Sequence, residues 1–484
     1  LLKEYFLYSF YCGKVLFVKI TYIKGSATLV GGNQQLQRGL EQRHITLMSL
    51  GAAIGVGLFL GSATAIQLAG PAILISYIIG GLAIFIIMRA LGEMAVHNPV
   101  SGSFSRYAKD YLGSLAGYIT GWNYWFLWVV TCMAEITAVG VYMKMWFPDT
   151  PSWIWALAAL VIMTLVNLIA VKAYGEFEFW FALIKIVAIL AMIFVGLGVI
   201  IFGIGNGGVA VGISNLWTNG GFAPNGITGI FMSLQMVMFA YLGVEMIGVT
   251  AGEAKNPKKV IPNAINTVFW RILLFYVGAL FVIMSIYPWN EVGDNGSPFV
   301  LMFEQIGIGP AAGIINFVVL TAALSSCNSG IFSTGRMLFN LAEQKQAPAS
   351  FKRISGTGVP SKAIIFSAAL LLFGVLLNYL VPEKVFIWVT SISTFGAVWT
   401  WGIILMSQLK FRKSLTKGEV SRLSYKALFY PYGSYLVLAF LVLVLGLMAY
   451  FPDTRVAVIV GPIWIIGLVF SYYKNGFHKK KNQI

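Results

Sequence analysis

SLGAAIGVGLFLGSA, Ser49–Ala63, is apolar enough to lie inside a bilayer, yet it carries Gly51, Gly55, Gly57 and Gly61 where a membrane-spanning helix ordinarily carries branched aliphatic residues. Each glycine weakens a helix by roughly 1 kcal/mol relative to alanine. Irregular backbone at membrane depth persists only where protein or a water-filled cavity satisfies its N–H and C=O groups. A helix broken here therefore implies a site, with the broken ends as ligand groups. The competing reading is close helix packing through small residues four apart. Packing suits Gly61, and a site suits the tight IGVG at Ile54–Gly57.

The remainder of the chain is consistent with a bilayer setting. Of its 484 residues 58% are hydrophobic and 10% charged, and apolar runs of about 20 residues, each long enough to cross a hydrocarbon core, recur twelve times. The expected fold class is an all-α integral membrane protein of twelve transmembrane helices. The net charge of +16 does not mark a nucleic-acid partner, because of where the charges fall. With the N-terminus inside, Lys and Arg divide as 29 cytoplasmic to 3 external (Lys144, Lys384 and Arg455), and Lys185 alone lies within a run. This is the positive-inside bias, and it sets both termini in the cytoplasm. Lys479–Lys481 reads as an anchor to anionic lipid.

The predicted organisation is an atypical extension at 1–35, a cytoplasmic lead-in at 36–44, five helices over 45–203, an external loop at 204–226, five helices over 227–408, a basic cytoplasmic loop at 409–429, two helices over 430–473 and a basic tail at 474–484. Cys12, Cys132 and Cys327 have no disulfide or metal spacing, and His44, His97 and His478 are scattered at the ends of runs. No metal and no cofactor is expected.

Ionisable residues inside a span are costly and function is their default reading. Glu135, in the run GYITGWNYWFLWVVTCMAEITAVGVYM, is buried among aromatic and aliphatic neighbours and needs a cavity or a partner. Lys185 stands seven residues beyond Glu178 in EFWFALIKIVAI. Snorkelling of its stem and a buried amine that gains and loses a proton are both open. In GIFMSLQMVMFAYLGVEMIGVTAGEAKNP, Gly243 and Gly248 flank a buried Glu245, repeating the glycine-broken pattern of the first run. Two interrupted helices in corresponding positions point to inverted repeats with a binding site between them. Ser325, Ser326, Asn328 and Ser329 form a polar stripe that serves either as interhelical glue or as part of a pocket. Arg89 and Glu93, four apart, are expected to form a local ion pair, structural or gating, and Pro257 and Pro262 are expected to end helical segments.

The run from Arg38 to Gly81, then MRALGEM, VKAYGEFEFWFALIKI, FAYLGVEMIGVTAGEAKNPKKVIPNAIN and SSCNSGIFSTGRML, resembles bacterial amino acid permeases of the amino acid-polyamine-organocation superfamily, within its amino acid transporter subfamily. The resemblance covers residue 36 to the C-terminus and implies a leucine-transporter-like fold: a 5+5 inverted repeat plus two additional helices. It implies that Ala53, Ile54, Gly55, Val56 and Gly57 form the unwound segment of helix one, whose N–H groups hold a substrate carboxylate. Phe239, Ala240, Tyr241 and Gly243 are the matching break in helix six, with carbonyls toward the substrate ammonium and Phe239 as an aromatic lid; Glu245 is a further ammonium or proton partner. Ser325, Asn328 and Glu135 complete the expected substrate site. Lys185 matches the helix-five lysine that replaces a sodium ion in proton-coupled relatives, so the proton is the coupling ion and no bound metal is needed.

The implied activity is proton-driven import of a small neutral amino acid across the bacterial cytoplasmic membrane. Some stretches look like proline permeases and others like permeases for alanine, glycine and serine. An exchanger on the same fold and a histidine or 4-aminobutyrate permease remain alternatives. A channel lacks its rings of charge, and an intramembrane hydrolase lacks a base beside Ser325 or Cys327. No obligatory protein partner is expected.

Overall fold

The computed structural model describes residues 4–11, 14–23, 26–29, 54–100, 102–169, 171–250, 256–292, 296–305, 309–356 and 358–478. The lead-in 36–44, Ser49–Ala53 with Gly51 and Ala53, Cys12 and Lys479–Lys481 lie outside the described residues. The chain forms two compact units, Leu1–Gln37 and Arg38–Ile484.

The first unit departs from the all-α expectation. It is an antiparallel meander of β1 (Glu4–Tyr11), β2 (Lys14–Ile23) and β3 (Ser26–Leu29), with Tyr11 opposite Lys14 and Ile23 opposite Ser26. Its strands are rich in aromatic and β-branched residues, which favour extended backbone, and lysines interrupt any run long enough for a span.

The second unit is helical. In chain order it contains α1 (Val56–Phe59), α2 (Gly61–Ala69), α3 (Ile73–His97), α4 (Ser103–Leu112), α5 (Ser114–Met143), α6 (Ser152–Ile169) and α7 (Val171–Phe202). There follow α8 (Gly226–Ala240), α9 (Met246–Thr250), α10 (Pro257–Arg271), a π-helical stretch Ile272–Gly278 and α11 (Ala279–Ile286). The last are α12 (Gly309–Glu343), α13 (Ser361–Leu380), α14 (Val385–Ser414), α15 (Tyr432–Tyr450) and α16 (Arg455–Lys474). Among the described residues ten helices are long and apolar enough to cross a membrane, Val56–His97 being counted as one, and Gly226–Ala240 is a shorter apolar helix. Val56–His97 is itself divided, at Leu60 and again at the 3-10 turn Gly70–Ala72, where Pro71 removes a donor.

Buried glycines bring the broken helices together. A Cβ on Gly57 would lie 2.6 Å from the Ala240 Cα, one on Gly61 2.6 Å from Met236 Sδ, and one on Gly229 2.4 Å from the Leu68 carbonyl oxygen. The α1–α2 segment and α8 thus meet almost backbone to backbone, as small-residue seams allow. The packing reading of Gly61 holds, and Gly57 also takes part in this seam.

Two local expectations are corrected. Pro257 does not end a helix; it begins α10 at a position whose N–H would be unsatisfied in any case, and Pro262 lies inside that helix. Arg89 and Glu93 do not pair. Glu93, fully buried, takes Arg412 as its salt-bridge partner and also accepts from Gln408 Nε2 at 2.8 Å and the Ala427 N–H at 3.0 Å. Arg89 donates to Asn266 Oδ1 and the Lys426 carbonyl, with its guanidinium 4.0 Å from the Tyr425 ring centroid. A fixed guanidinium on α14 with two further donors outcompetes a partner one turn away on the same helix. Removing one partner of a buried pair strands the other charge. Glu93→Ala is accordingly expected to cost about 3 kcal/mol and to lower the unfolding temperature in detergent; an unchanged transition would remove this clamp from the stabilising contacts.

Candidate functional site

The first break begins at Gly55, which is extended at φ −120° and ψ −161°, and the helix starts at Val56. Val56 and Gly57 therefore belong to a helix N-terminus and not to the unwound strand, which shortens the expected segment by two residues at its end. A helix N-terminus leaves its first N–H groups without intrahelical partners, and it favours an anion. Here a side chain of the protein takes that place: the Glu135 carboxyl group on α5 faces the Val56 N–H, the Ser326 hydroxyl and, farther off, Lys185. A Cβ on Gly55 would lie 2.9 Å from Glu135 Oε1 and 3.1 Å from Ser326 Oγ.

The second break spans Tyr241–Glu245, between α8 and α9. Gly243 has φ +95°, a conformation that side-chain-bearing residues rarely adopt. Its N–H donates to the Glu245 carboxylate, 3.2 Å from Oε2, and Tyr124 Oη donates to Oε1 at 3.3 Å. Glu245 thus closes the break on itself. Tyr241 Oη donates to the Tyr77 carbonyl at 2.6 Å, and Tyr276 Oη donates to the Ala240 carbonyl at 3.0 Å. One carbonyl expected to face an ammonium is therefore already engaged, although a carbonyl oxygen has a second lone pair. Phe239 and Ala240 are the last residues of α8.

Between the two breaks lies a cavity of about 10 Å³, the space of one water molecule, lined by Gly55, Gly57, Glu135, Phe239, Ala240 and Ser326 together with Trp128, Thr131 and Leu242. Of the residues expected to bind substrate, Gly55, Gly57, Glu135, Phe239 and Ala240 meet there; Tyr241, Gly243 and Glu245 support the second break from behind. A second, larger hollow of about 750 Å³ opens toward the C-terminal end of α5, with Thr137, Asn316 and Asn378 among its walls and the exposed Lys144 and Glu383 at its rim.

The polar stripe of α12 divides. Ser326 reaches the cavity, whereas Ser325 Oγ donates to Glu178 Oε1 at 2.8 Å, and Asn328 Oδ1 accepts from Asn167 Nδ2 at 2.8 Å. Ser325 and Asn328 therefore face α7 and α6, away from the cavity, because consecutive helical residues are turned by about 100°. Lys185 is wholly buried and donates from Nζ to the Ile54 carbonyl at 3.2 Å, joining α7 to the first break. It does not snorkel.

Sequence reasoning passed over Trp128, Thr131, Leu242 and Glu178. Thr131 and Trp128 stand four and seven residues before Glu135 on the same helix face, a spacing that was available. Leu242 carried no such signal. Glu178 opens the stretch EFWFALIKIVAI and reads there as a boundary charge, but α7 begins at Val171 and Glu178 is completely buried.

Residues 44–483 match the Amino acid permease family. The chain is similar to the uncharacterized amino acid permease YtnA of Bacillus subtilis (strain 168), 73% identical over 92% of this chain and 96% of that protein. It is also similar to the probable threonine/serine transporter YbxG of the same organism, 52% identical over 93% of this chain and 97% of that one, and to its amino-acid permease AapA, 50% identical over 91% and 96%. A family match across nearly the whole chain, joined to ten membrane-length apolar helices among the described residues and a buried cavity between two helix breaks, makes this a multi-pass membrane transporter and not an enzyme: the chain belongs to the amino acid permease family.

Proposed function

We propose that this protein is a proton-coupled importer of small neutral amino acids, serine and threonine foremost, working by alternating access in the cytoplasmic membrane. The observation that carries the coupling is the bond from Lys185 Nζ to the Ile54 carbonyl, an ammonium holding the backbone at the point where helix one is broken. Lysine, unlike arginine, can give up its proton within a protein. Loss of its proton releases Ile54, and the first break is then free to move.

The substrate carboxylate meets the Val56 amide only by displacing Glu135, which faces it in this state. Substrate binding and the position of Glu135 are thus linked. The cavity walls favour a short side chain: Thr131 and Ser326 offer hydroxyls, Gly55 and Gly57 offer space, and Phe239 and Trp128 exclude bulk. The name of the YbxG relative supports a hydroxylated substrate over proline.

The same reading counts Val56–His97 as two crossings and the broken Gly226–Thr250 segment as one, which gives twelve with the other nine spans. Residues 45–203 and 227–408 form the inverted repeats, and both termini lie in the cytoplasm, following the basic loops. The 750 Å³ hollow then faces outward. The proton is the coupling ion, with no other cofactor, and lipid is the surrounding partner.

Uptake of labelled serine, threonine, alanine, glycine, proline, histidine and 4-aminobutyrate into proteoliposomes tests this. Accumulation of serine or threonine is expected only with an inward proton gradient. Uptake requiring an amino-acid-loaded lumen would make the protein an exchanger.

A further inference from the structure

Glu178 has no place in the mechanism above, yet its surroundings are those of a working group. It is completely buried; Oε1 accepts from Ser325, and Oε2 has no hydrogen-bond partner among the described residues. A desolvated carboxylate left half satisfied is unfavourable unless a charge compensates it. The charged group that acts on it is Lys185, on its own helix, while α12 presents only the neutral Ser325, Asn328 and Ser329. Seven residues are two helical turns, so Glu178 and Lys185 share one face about 10 Å apart along the axis. Helical side chains lean toward the N-terminus, and the long stem of Lys185 reaches farther that way than the shorter Glu178 side chain does, which narrows the gap between them. On its other side Lys185 faces Glu135. The three groups thus form a series: Glu135 beside the cavity, Lys185 on the first break, and Glu178 nearer the N-terminal end of α7.

We propose that Glu178 is the second station of the coupling proton, receiving it at Oε2 when Lys185 lets go of Ile54. The proposal rests on the proton-coupled reading of Lys185. In the transfer one N–H bond of the ammonium breaks and one O–H bond forms on the carboxylate. Ammonium and carboxylate become amine and carboxylic acid, and the pair stays neutral in sum during this transfer; it carries one negative charge only between the release from Glu178 and the reprotonation of Lys185. Glu178 then releases the proton to water at the N-terminal end of α7 and returns to a carboxylate, and Lys185 is protonated again from the cavity side. Ser325 orients the acceptor by occupying Oε1 and leaving Oε2 free.

The full-length wild type, Glu178→Gln and Glu178→Asp are reconstituted, and labelled L-serine with L-threonine is followed in two assays: exchange without a gradient and accumulation driven by an inward proton gradient. Gln still accepts from Ser325 but takes up no proton, so Glu178→Gln is expected to exchange at the wild-type level and to lose accumulation. Glu178→Asp is expected to accumulate with a displaced pH dependence. A Gln variant that accumulates as the wild type does overturns the proposal and leaves Lys185 coupling intact. A wild type indifferent to the gradient overturns the proton-coupled reading itself, and this proposal with it. If Glu178→Gln fails to exchange because it does not fold, the Asp variant decides: an unchanged pH profile overturns the second station, and a displaced one supports it.

Discussion

Lys185→Met is expected to abolish proton-driven accumulation while leaving exchange in place. Methionine fills much the same volume, which matters because the side chain is wholly buried and a truncation to alanine would add a cavity to the loss of charge. Replacing a buried charge by an apolar side chain of similar size is often tolerated, but here the Ile54 carbonyl loses its donor and the first break loses its latch. For one proton moved per substrate, a gradient of about one pH unit supports roughly tenfold accumulation, and the variant is expected to forfeit all of it. Lys185→Arg sharpens the result. Arginine keeps the charge and the donor but does not deprotonate in proteins. If the ammonium served only to hold Ile54, Arg would restore accumulation; if it must release a proton, Arg fails as Met does. Accumulation by the Met variant would move coupling to Glu135 or Glu245.

The features that could be read from the residues were those set by local composition. Glycines in an apolar run forecast both breaks, because a bilayer gives a weak helix nothing else to bond, and the backbone of Gly55 and of Gly243 departs from the helix where this argument places it. Lys185 stood out because an isolated charge in a span has few reasons to be there. What escaped was decided by neighbours far away in the chain. Arg89 and Glu93 share a helix face, yet Glu93 pairs with Arg412, 319 residues on, and nothing in the local spacing announces that competitor. The serines of α12 were recognised as polar, but which one enters the cavity depends on how the helix is turned against α5 and α7, so Ser326 took the place expected of Ser325. Glu178 was hidden because a charge at the start of an apolar stretch reads as the membrane boundary, and only the packing of α7 against α12 shows it to be buried.

Gly55→Val and Gly57→Val are expected to fail in different ways, although the two glycines stand two apart in one motif. Gly55 has an extended backbone that any residue adopts, and its prospective Cβ meets side-chain atoms, Glu135 Oε1 at 2.9 Å, Ser326 Oγ at 3.1 Å and Ser326 Cβ at 3.4 Å. These can shift, so the protein inserts and folds. The added side chain is larger than the cavity of about 10 Å³, displaces the Glu135 and Ser326 side chains and lies across the approach to the amides of α1. Binding of serine or threonine is expected to be lost with only a modest fall in the unfolding temperature. At Gly57 the prospective Cβ meets backbone, 2.6 Å from Ala240 Cα and 3.0 Å from Ala240 N, and backbone cannot rotate away. The α1–α2 segment and α8 must part, which opens the Gly61–Met236 and Gly229–Leu68 contacts along the same seam. Overpacking costs about 1–3 kcal/mol where side chains can adjust, and more is expected here, so Gly57→Val should lower the unfolding temperature before any question of binding arises. Measuring both quantities in both variants separates the site from its scaffold. Normal binding by Gly55→Val would sink the helix-one site, and a stable, binding-deficient Gly57→Val would show that the seam yields and that Gly57 acts through the cavity alone.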